Sequence, residues 1–139
     1  MEEISKVDAS ASVVMSVNNS LVCWGLETFG NEEQKLKYLV PLAKGEIIGA
    51  FCLSEPEAGS DATSQHTTAI DAGDHYVLNG TKNWITNGSN ASVYIVMAQT
   101  DAVSYTHLRA HDTVLDLVCR LLLEKKIKIN NPQNFILIN

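Results

Sequence analysis

The first part of the chain has the apolar spacing of a helix. Between residues 2 and 28, apolar side chains recur at intervals of three, four and seven among small residues, and proline is absent. Such spacing places apolar side chains on one face of a helix. A polar run at residues 16–20 interrupts the pattern. The sequence therefore predicts helix over residues 2–28, with an interruption at this run.

A stop signal and a new start signal follow this helix. Gly30 can adopt the left-handed conformation that ends many helices. Asn31 can cap the next helix, because Gln34 stands three residues later, as in a capping box. We expect the second helix over residues 32–43, with Gly45 at its end. The apolar positions that this helix should bury are Leu36, Leu39 and Val40.

From residue 47 the pattern changes to short apolar or β-branched runs separated by turn residues. The runs are residues 47–54, 67–70, 76–78 and 93–98. Asn79-Gly80 suits a tight hairpin, so residues 81–86 are expected to pair back onto the preceding strand before Asn87-Gly88 turns again. The sequence thus predicts an α+β protein: the end of an N-terminal helical domain, then the first part of an antiparallel β domain.

Composition narrows the class of protein. A chain of 139 residues with 45% hydrophobic and 19% charged residues is typical of a soluble globular protein, either one domain or pieces of two. The formal charge of −6 argues against unspecific binding of nucleic acid, which needs a surplus of Lys and Arg. The longest apolar runs are too short to span a bilayer.

The cysteines are odd in number and widely spaced, at Cys23, Cys52 and Cys119. This spacing predicts buried thiols rather than a disulfide framework or a zinc site. Reduced thiols fit a bacterial cytoplasm or a mitochondrial matrix.

The segment FCLSEPEAGSDATS, residues 51–64, is the most informative one for function. After an apolar run, Pro56 lacks an N–H group, so a strand ladder should stop there. Gly59 allows the backbone to approach a ligand closely. Ser54, Ser60 and Asp61 add hydroxyl and carboxylate groups. The order predicts a strand whose end turns toward a bound ligand.

Together with WITNG at residues 84–88, this segment resembles the flavin- and substrate-binding signature of the acyl-CoA dehydrogenases. EPEAGSDA, VLNGTKNWITNG and the region around SVNNSL look like a short-chain member. Glu57 is a departure, because many relatives would have a glycine or similar small residue there. The resemblance implies that residues 1–44 end an N-terminal helical domain and that residues 45–101 begin a middle β domain.

In such enzymes FAD lies between the β domain and C-terminal helices, and acyl-CoA thioesters are oxidised to trans-2-enoyl-CoA by α-proton abstraction and β-hydride transfer to FAD. The resemblance further implies electron-transfer flavoprotein as a partner and a homo-oligomer at full length. The family's catalytic base comes from a C-terminal domain that this sequence does not contain. No residue is therefore assigned as the base, and we expect the chain as given to be inactive.

The resemblance also implies roles for individual residues. Isoalloxazine has a flat apolar body and a polar edge, so Trp84 is expected to form a wall, and Ser54 and Thr86 to hydrogen-bond the edge. Ser60 is expected to face the CoA arm of the substrate as well. The full set of expected cofactor-binding residues is Phe51, Cys52, Leu53, Ser54, Glu55, Pro56, Glu57, Ala58, Gly59, Ser60, Trp84, Ile85 and Thr86.

Two pairs of residues that could act as an acid–base pair or as metal ligands are interpreted as structural instead. Glu55 and Asp61 could form an acid–base pair, but capping or turn stabilisation near the ligand loop is the preferred role. His107 and His111 stand at helical spacing for a metal, but they lack a third ligand. We expect no metal site.

After Asp101 the pattern changes again, and residues 102–139 do not continue the family's strands. Two interpretations of this tail stay open: sequence that is not native to the protein, or an alternative C-terminus with an interaction helix. Two functions also stay open. One is a fragment of a flavin-dependent acyl-CoA dehydrogenase, and the alternative is a non-catalytic binding or interaction module that retains the β meander.

Overall fold

A computed structural model of the chain describes residues 1–100 and the strand Lys126–Lys128. The predictions for residues 102–139, including those for Cys119 and for the His107/His111 pair, lie outside the described residues apart from this strand. In the described part, the N-terminal half is helical and the remainder carries short strands. The α-helices are α1 (Glu2–Val7), α2 (Ala9–Val17), α3 (Trp24–Phe29), α4 (Glu32–Gln34) and α5 (Val40–Ala43).

Two π-helical stretches join these helices without a gap. The first π segment, Asn18–Cys23, links α2 to α3, and the second π segment, Lys35–Leu39, links α4 to α5. The first begins within the polar run that was expected to interrupt the helix, but the chain stays helical there and only the type of helix changes. A break lies at Asp8, whose carboxylate caps α2 by accepting from the backbone N–H groups of Ser10 and Ala11.

The start of α4 confirms the predicted capping box. The Gln34 N–H donates to Oδ1 of Asn31 over 2.8 Å, and the Asn31 N–H donates to Oε1 of Gln34 over 2.9 Å. The expectation for Gly30 is wrong: its φ of −71° and ψ of 144° are extended, not left-handed. An extended Gly30 leads directly into Asn31, which is itself extended at the cap, so no reversal of the chain is needed there.

Gly45 ends the helical region as expected. Its φ is +73°, and its N–H donates to the Leu42 carbonyl while the Glu46 N–H donates to the Pro41 carbonyl. These paired bonds close the helix C-terminus in a Schellman arrangement, which favours glycine at the left-handed position.

The buried face of the second helical stretch differs from the prediction. Leu36 is 72% exposed and Val40 is 39% exposed, whereas Leu39 is partly buried against the core. Gln34 and Leu42 are fully buried instead. A π turn takes one more residue than an α turn and so rotates the side chains that follow it, which accounts for the burial of Leu42 in place of Val40 after the second π segment.

The strands are β1 (Gly49–Cys52), β2 (Thr68–Asp71), β3 (His75–Asn79), β4 (Val93–Val96) and β5 (Lys126–Lys128). β2 and β3 pair antiparallel, β3 pairs parallel with β5, and β1 pairs parallel with β4. The α+β class is therefore confirmed, but the antiparallel expectation is wrong for β1 and β4. About forty residues separate these two strands, which is ample for the crossover that parallel pairing requires.

The hairpin expected at Asn79-Gly80 is also wrong. β3 ends at Asn79, and residues 81–86 form no strand. Glycine is needed at position 80 for close packing rather than for a hairpin turn, because a Cβ there would collide with Thr67. The expected turn at Asn87-Gly88 is present, because the Gly88 N–H donates to the Ile85 carbonyl over 3.0 Å.

Every residue of β4 is buried, and the strand has a core on each face. On one face Val93 and Ile95 pack against helical side chains; on the other, Tyr94 and Val96 pack against β1. The helical contributors are Val22, Leu26 and Leu42. Within the part of the chain that the structure describes, no helix has the length and apolar character needed to cross a membrane.

Candidate functional site

The segment after β1 forms a tight loop with an exposed tip. β1 ends at Cys52, before Pro56, as predicted from the missing N–H. The Glu55 N–H donates to the Ala58 carbonyl over 3.0 Å, and the Ala58 N–H donates back to the Glu55 carbonyl over 3.2 Å. Pro56 and Glu57 therefore stand at the tip and are exposed. We call residues 53–60 the β1 loop.

A buried ion pair fixes the base of this loop. Nζ of Lys82 donates to Oε1 of Glu55 over 2.6 Å, and the two side chains are only 4% and 5% exposed. The same Nζ donates to the Leu53 carbonyl over 3.0 Å and to Oε1 of Gln65 over 3.2 Å. One ammonium group thus joins three separate segments of the chain.

Glu55 also receives hydrogen bonds from the backbone. The His66 N–H donates to Oε2 over 2.6 Å, and the Thr67 N–H donates to Oε1 over 3.0 Å. Burial opposes ionisation of this carboxyl group, but Lys82 and the backbone donors outweigh it and lower its pKa to about 2. The preferred role for Glu55, stabilisation of the loop, is confirmed by these contacts.

The pKa values of Glu55 and Lys82 are both lowered, which favours charge on the carboxylate but disfavours charge on the ammonium. Burial lowers the pKa of Lys82, against the raising effect of Glu55, so this shift disfavours the charged ammonium. The lowered pKa of Glu55 favours the charged carboxylate. Several donors converge on that carboxylate at short distances, and such contacts favour the ionised form. Glu55 and Lys82 therefore form an ionised pair.

Asp61 has the capping role expected of it. Its carboxylate accepts from the Thr63 N–H and from the hydroxyl groups of Thr63 and Ser64, at the start of the 3₁₀ turn Ala62–Ser64. Those hydroxyl donors lower the pKa of Asp61. The side chain is exposed and already engaged, so it does not form an acid–base pair with Glu55.

The second predicted site segment lies beside β1. The Asn83 N–H donates to the Ser54 carbonyl over 2.8 Å. Farther along, Nδ2 of Asn87 donates to the Gly49 carbonyl over 3.0 Å. The structure therefore brings together the two sequence motifs on which the functional hypothesis rests. We call residues 82–87 the Trp84 segment.

Trp84 is the most unusual residue of this segment. Its side chain is 93% exposed, and its φ is +58°, a conformation rare for a bulky residue. Ile85 and Thr86 are partly buried. Such exposure of a large aromatic side chain excludes the ordinary interpretation of Trp84 as a core residue.

Several polar groups of the β1 loop and the Trp84 segment are uncommitted. In residues 1–100, no hydrogen bond uses the hydroxyl group of Ser54, Ser60 or Thr86. Ser54 and Thr86 are partly buried, whereas Gly59 and Ser60 are exposed. These groups can therefore meet a ligand without breaking an existing bond.

Four further residues of the predicted set are buried or pack against the core. Cys52 and Ala58 are buried, and Phe51 and Leu53 pack against the core. Burial raises the pKa of the Cys52 thiol to about 12, against a lowering effect of Lys82. Because the thiolate is the reactive form, Cys52 is not a nucleophile at neutral pH.

Sequence reasoning missed the residues that hold the site together, namely Lys82, Gln65, Asn83 and Asn87. One signal was available for Lys82, because a lone lysine at the centre of the conspicuous run VLNGTKNWITNG is a candidate for pairing with one of the acidic residues of the other motif. Among the described residues, no group of three potential ligands could hold a metal ion.

Comparison with known proteins gives two adjacent family matches. A family model described as acyl-CoA dehydrogenase, N-terminal domain, matches residues 1–46. A second, described as acyl-CoA dehydrogenase, middle domain, matches residues 50–119. The first match ends after α5 and the second begins within β1, where the helical region gives way to strands.

Individual relatives agree with these matches. The short-chain specific acyl-CoA dehydrogenase of Clostridium acetobutylicum is 50% identical over 106 residues, which are 76% of this chain and 28% of that protein. The structure of butyryl-CoA dehydrogenase from Megasphaera elsdenii matches with a TM-score of 0.70 and 48% identity, over 72% of this chain and 26% of that one.

A glutaryl-CoA dehydrogenase from Mycobacterium smegmatis, solved in complex with FADH2, matches with a TM-score of 0.68 and 43% identity, over 71% of this chain and 26% of that one. The chain thus spans about a quarter of the length of the proteins it resembles.

Proposed function

The chain belongs to the acyl-CoA dehydrogenase family, and on that premise we propose that its β1 loop and Trp84 segment form one side of a site for FAD and an acyl-CoA thioester. The chain spans 28% of the Clostridium relative. The proposed activity, oxidation of a short-chain acyl-CoA to its trans-2-enoyl form, therefore belongs to a whole protein in which the rest of the site is supplied by other segments.

One observation carries this proposal: the hydrogen bond of 2.8 Å from the Asn83 N–H to the Ser54 carbonyl. It joins the two segments that the family signature comprises, although they are far apart in sequence. An isolated motif of either kind has an ordinary structural explanation. Their direct contact supports a shared function.

The described residues fit the chemistry of a flavin. Its flat body needs an apolar or aromatic surface, and Trp84 offers a large aromatic side chain that is 93% exposed. Its polar edge needs a few directed donors, and the hydroxyl groups of Ser54 and Thr86 are uncommitted within the described region. Main-chain groups of residues 51–60 are proposed to add further contacts.

FAD, when bound, would accept the hydride that leaves the β-carbon of the substrate. Ser54 and Thr86 would donate hydrogen bonds toward its polar edge and stabilise the negative charge that develops during reduction. Ser60 lies at the exposed end of the β1 loop, and we assign it to the CoA arm.

The base that removes the α-proton is assigned to neither carboxylate of the site. Glu55 is held by Lys82 and two backbone donors, with a pKa of about 2, so it has little affinity for a proton at neutral pH. Asp61 caps the 3₁₀ turn. The base would come from another segment of the whole protein, and electron-transfer flavoprotein and a homo-oligomeric assembly are proposed on the same family premise.

A hybrid protein tests the proposal. The matched 106-residue segment of the Clostridium acetobutylicum relative would be replaced by the corresponding segment of this chain. We expect the purified hybrid to hold about one FAD per subunit and to lose its yellow colour when butyryl-CoA is added without an electron acceptor. A folded hybrid that binds no FAD would contradict the proposal and favour the alternative of a non-catalytic binding module.

A further inference from the structure

The contacts of the Trp84 segment follow an ordered pattern along β1. Lys82 bonds the carbonyl of Leu53, the Asn83 N–H bonds that of Ser54, and Asn87 bonds that of Gly49. From Asn83 to Asn87 the number of the partner falls from 54 to 49, while the side chain of Lys82 reaches back to Leu53. The segment therefore lies antiparallel beside β1, although its outer two contacts come from side chains rather than from backbone N–H groups.

We propose that Lys82 and Asn87 are positioning residues, which hold the two ends of the Trp84 segment against the β1 loop and β1 and so preform the flavin surface before the cofactor binds. The inference rests on the function proposed above. Neither residue is placed in contact with the cofactor. Each acts through the backbone that carries Trp84 and Thr86.

Lys82 fixes the first end. Its ammonium group is nearly fully buried and donates to Leu53, Glu55 and Gln65. The next residue, Asn83, makes the single backbone hydrogen bond that joins this segment to the β1 loop. The ammonium contacts therefore restrain the backbone immediately before Trp84.

Asn87 fixes the second end, and its type suits the position in two respects. Its φ is +67°, and Asn tolerates this left-handed conformation better than most residues. Its side-chain N–H group donates to the Gly49 carbonyl, while its own carbonyl accepts from the N–H groups of Asn90 and Ala91. The restraint therefore extends from β1 through Asn87 into the following turn.

Gly49 gives this end a rigid support. While its carbonyl accepts from Asn87, its N–H donates to Oδ1 of Asn18 in the first π segment over 2.9 Å. A Cβ at this position would lie 2.5 Å from Cγ1 of Val22. The helical region, β1 and the Trp84 segment thus meet at one closely packed residue.

Hydrogen exchange of the 139-residue chain tests the inference without any cofactor. The Asn83 N–H reports attachment of the Trp84 segment, and the Met97 N–H, bonded to the Cys52 carbonyl over 3.0 Å, reports the stability of the core. In Asn87→Asp and in the double variant Glu55→Gln/Lys82→Met, we expect exchange at Asn83 to accelerate at least tenfold more than exchange at Met97. The double variant leaves no unpaired buried charge, so it separates loss of positioning from loss of the fold.

Matched controls are available in the same chain. Asn90→Asp makes the same chemical change in the same turn, at a side chain with no hydrogen bond in residues 1–100. Lys44→Met removes an exposed ammonium whose only ion pair among the described residues is with Glu46, at 3.8 Å. Both controls should leave the ratio of the two exchange rates unchanged.

A second arm measures FAD affinity in the hybrid protein. Asn87→Asp should weaken FAD binding at least tenfold, and Asn90→Asp should not. Equal acceleration at Asn83 and Met97, or unchanged FAD affinity in an Asn87→Asp hybrid whose parent binds FAD, would overturn the inference. A parent hybrid that binds no FAD would instead overturn the proposed function, and exchange at Asn83 would still decide the positioning role.

Discussion

Glu55 and Lys82 form an ion pair in which Oε1 and Nζ are 2.6 Å apart and both side chains are almost completely buried. Ion pairs on a protein surface contribute little to stability, because water screens the charges and the side chains lose conformational freedom. A buried pair behaves differently, since the loss of one partner leaves the other charge uncompensated. The β1 loop and the Trp84 segment are therefore tied together by an interaction that is sensitive to removal of either charge.

The first prediction concerns acid stability. The pKa of Glu55 is lowered from 4.5 to about 2 in the folded chain, so its ionised form stabilises the fold above pH 4.5, and this contribution is lost as the pH falls toward 2. The slope from one such group is up to about 1.4 kcal/mol per pH unit. Glu55→Gln should therefore be less stable than the parent at pH 7, and the difference should shrink between pH 4.5 and 2.

Urea unfolding at a series of pH values measures this difference. Other carboxylates titrate in both proteins, so the comparison isolates position 55. A difference in the free energy of unfolding that stays constant from pH 7 to pH 3 would show that Glu55 is not held ionised by its donors.

The second prediction separates the two charges. Lys82→Met alone should destabilise the chain by about 3–5 kcal/mol, because Glu55 is then buried without its counter-charge. Glu55→Gln/Lys82→Met should be more stable than Lys82→Met, since the Gln side chain still accepts from the backbone while no charge is buried. Chemical denaturation of the parent, both single variants and the double variant gives the coupling energy. If the destabilisations of the two single variants add up to that of the double variant, the two charges are not coupled and the prediction is wrong.

The helical half of the fold was largely predictable, because its signals are local. The Asn31 cap depends on a residue three positions away, and the end at Gly45 depends on one residue that accepts φ of +73°. The buried face was not predictable in the same way. The shift of burial from Val40 to Leu42 follows the second π segment, and no residue type in that segment identifies a π turn.

The site was predictable in its motifs but not in its geometry. The residues that carry the flavin hypothesis were identified from FCLSEPEAGSDATS and WITNG. The ion pair joins positions 27 residues apart, and the β1–β4 pairing joins strands about forty apart. Which distant partners meet is decided by packing of the whole domain, so a hairpin was the natural but incorrect inference at Asn79-Gly80.

The third prediction tests the close packing at Gly49. Gly49→Ala places a Cβ about 2.5 Å from Val22, so the core must shift, and overpacking of this kind costs about 1–3 kcal/mol. Val22→Ala removes the obstructing methyl groups and should recover part of the loss when it is combined with Gly49→Ala. Thermal unfolding of the two single variants and the double variant would check this. A Gly49→Ala variant as stable as the parent would mean that the contact is not tight.

The fourth prediction concerns Thr86 in the hybrid protein. Thr86→Val keeps the size and the β-branched shape but removes the hydroxyl group proposed to donate to the flavin edge. A bond that strengthens as charge develops is worth about 1–3 kcal/mol, so flavin reduction should slow by roughly 5- to 150-fold with little change in stability. Ser54→Ala should have a smaller effect of the same kind. Rapid mixing with butyryl-CoA measures the rate, and reduction of Thr86→Val at the parent rate would remove Thr86 from the proposed site.

The last prediction uses the exposure of Trp84 to separate binding from folding. A buried tryptophan replaced by alanine would leave a cavity that costs about 3–5 kcal/mol. Trp84 is 93% exposed, so Trp84→Ala should change the free energy of unfolding of the chain by no more than about 0.5 kcal/mol. In the hybrid, the same change should weaken FAD binding, because it removes the proposed aromatic surface. Denaturation of the chain and FAD titration of the apo-hybrid measure the two effects separately. A Trp84→Ala hybrid that binds FAD as tightly as its parent would show that the flavin does not rest against this side chain.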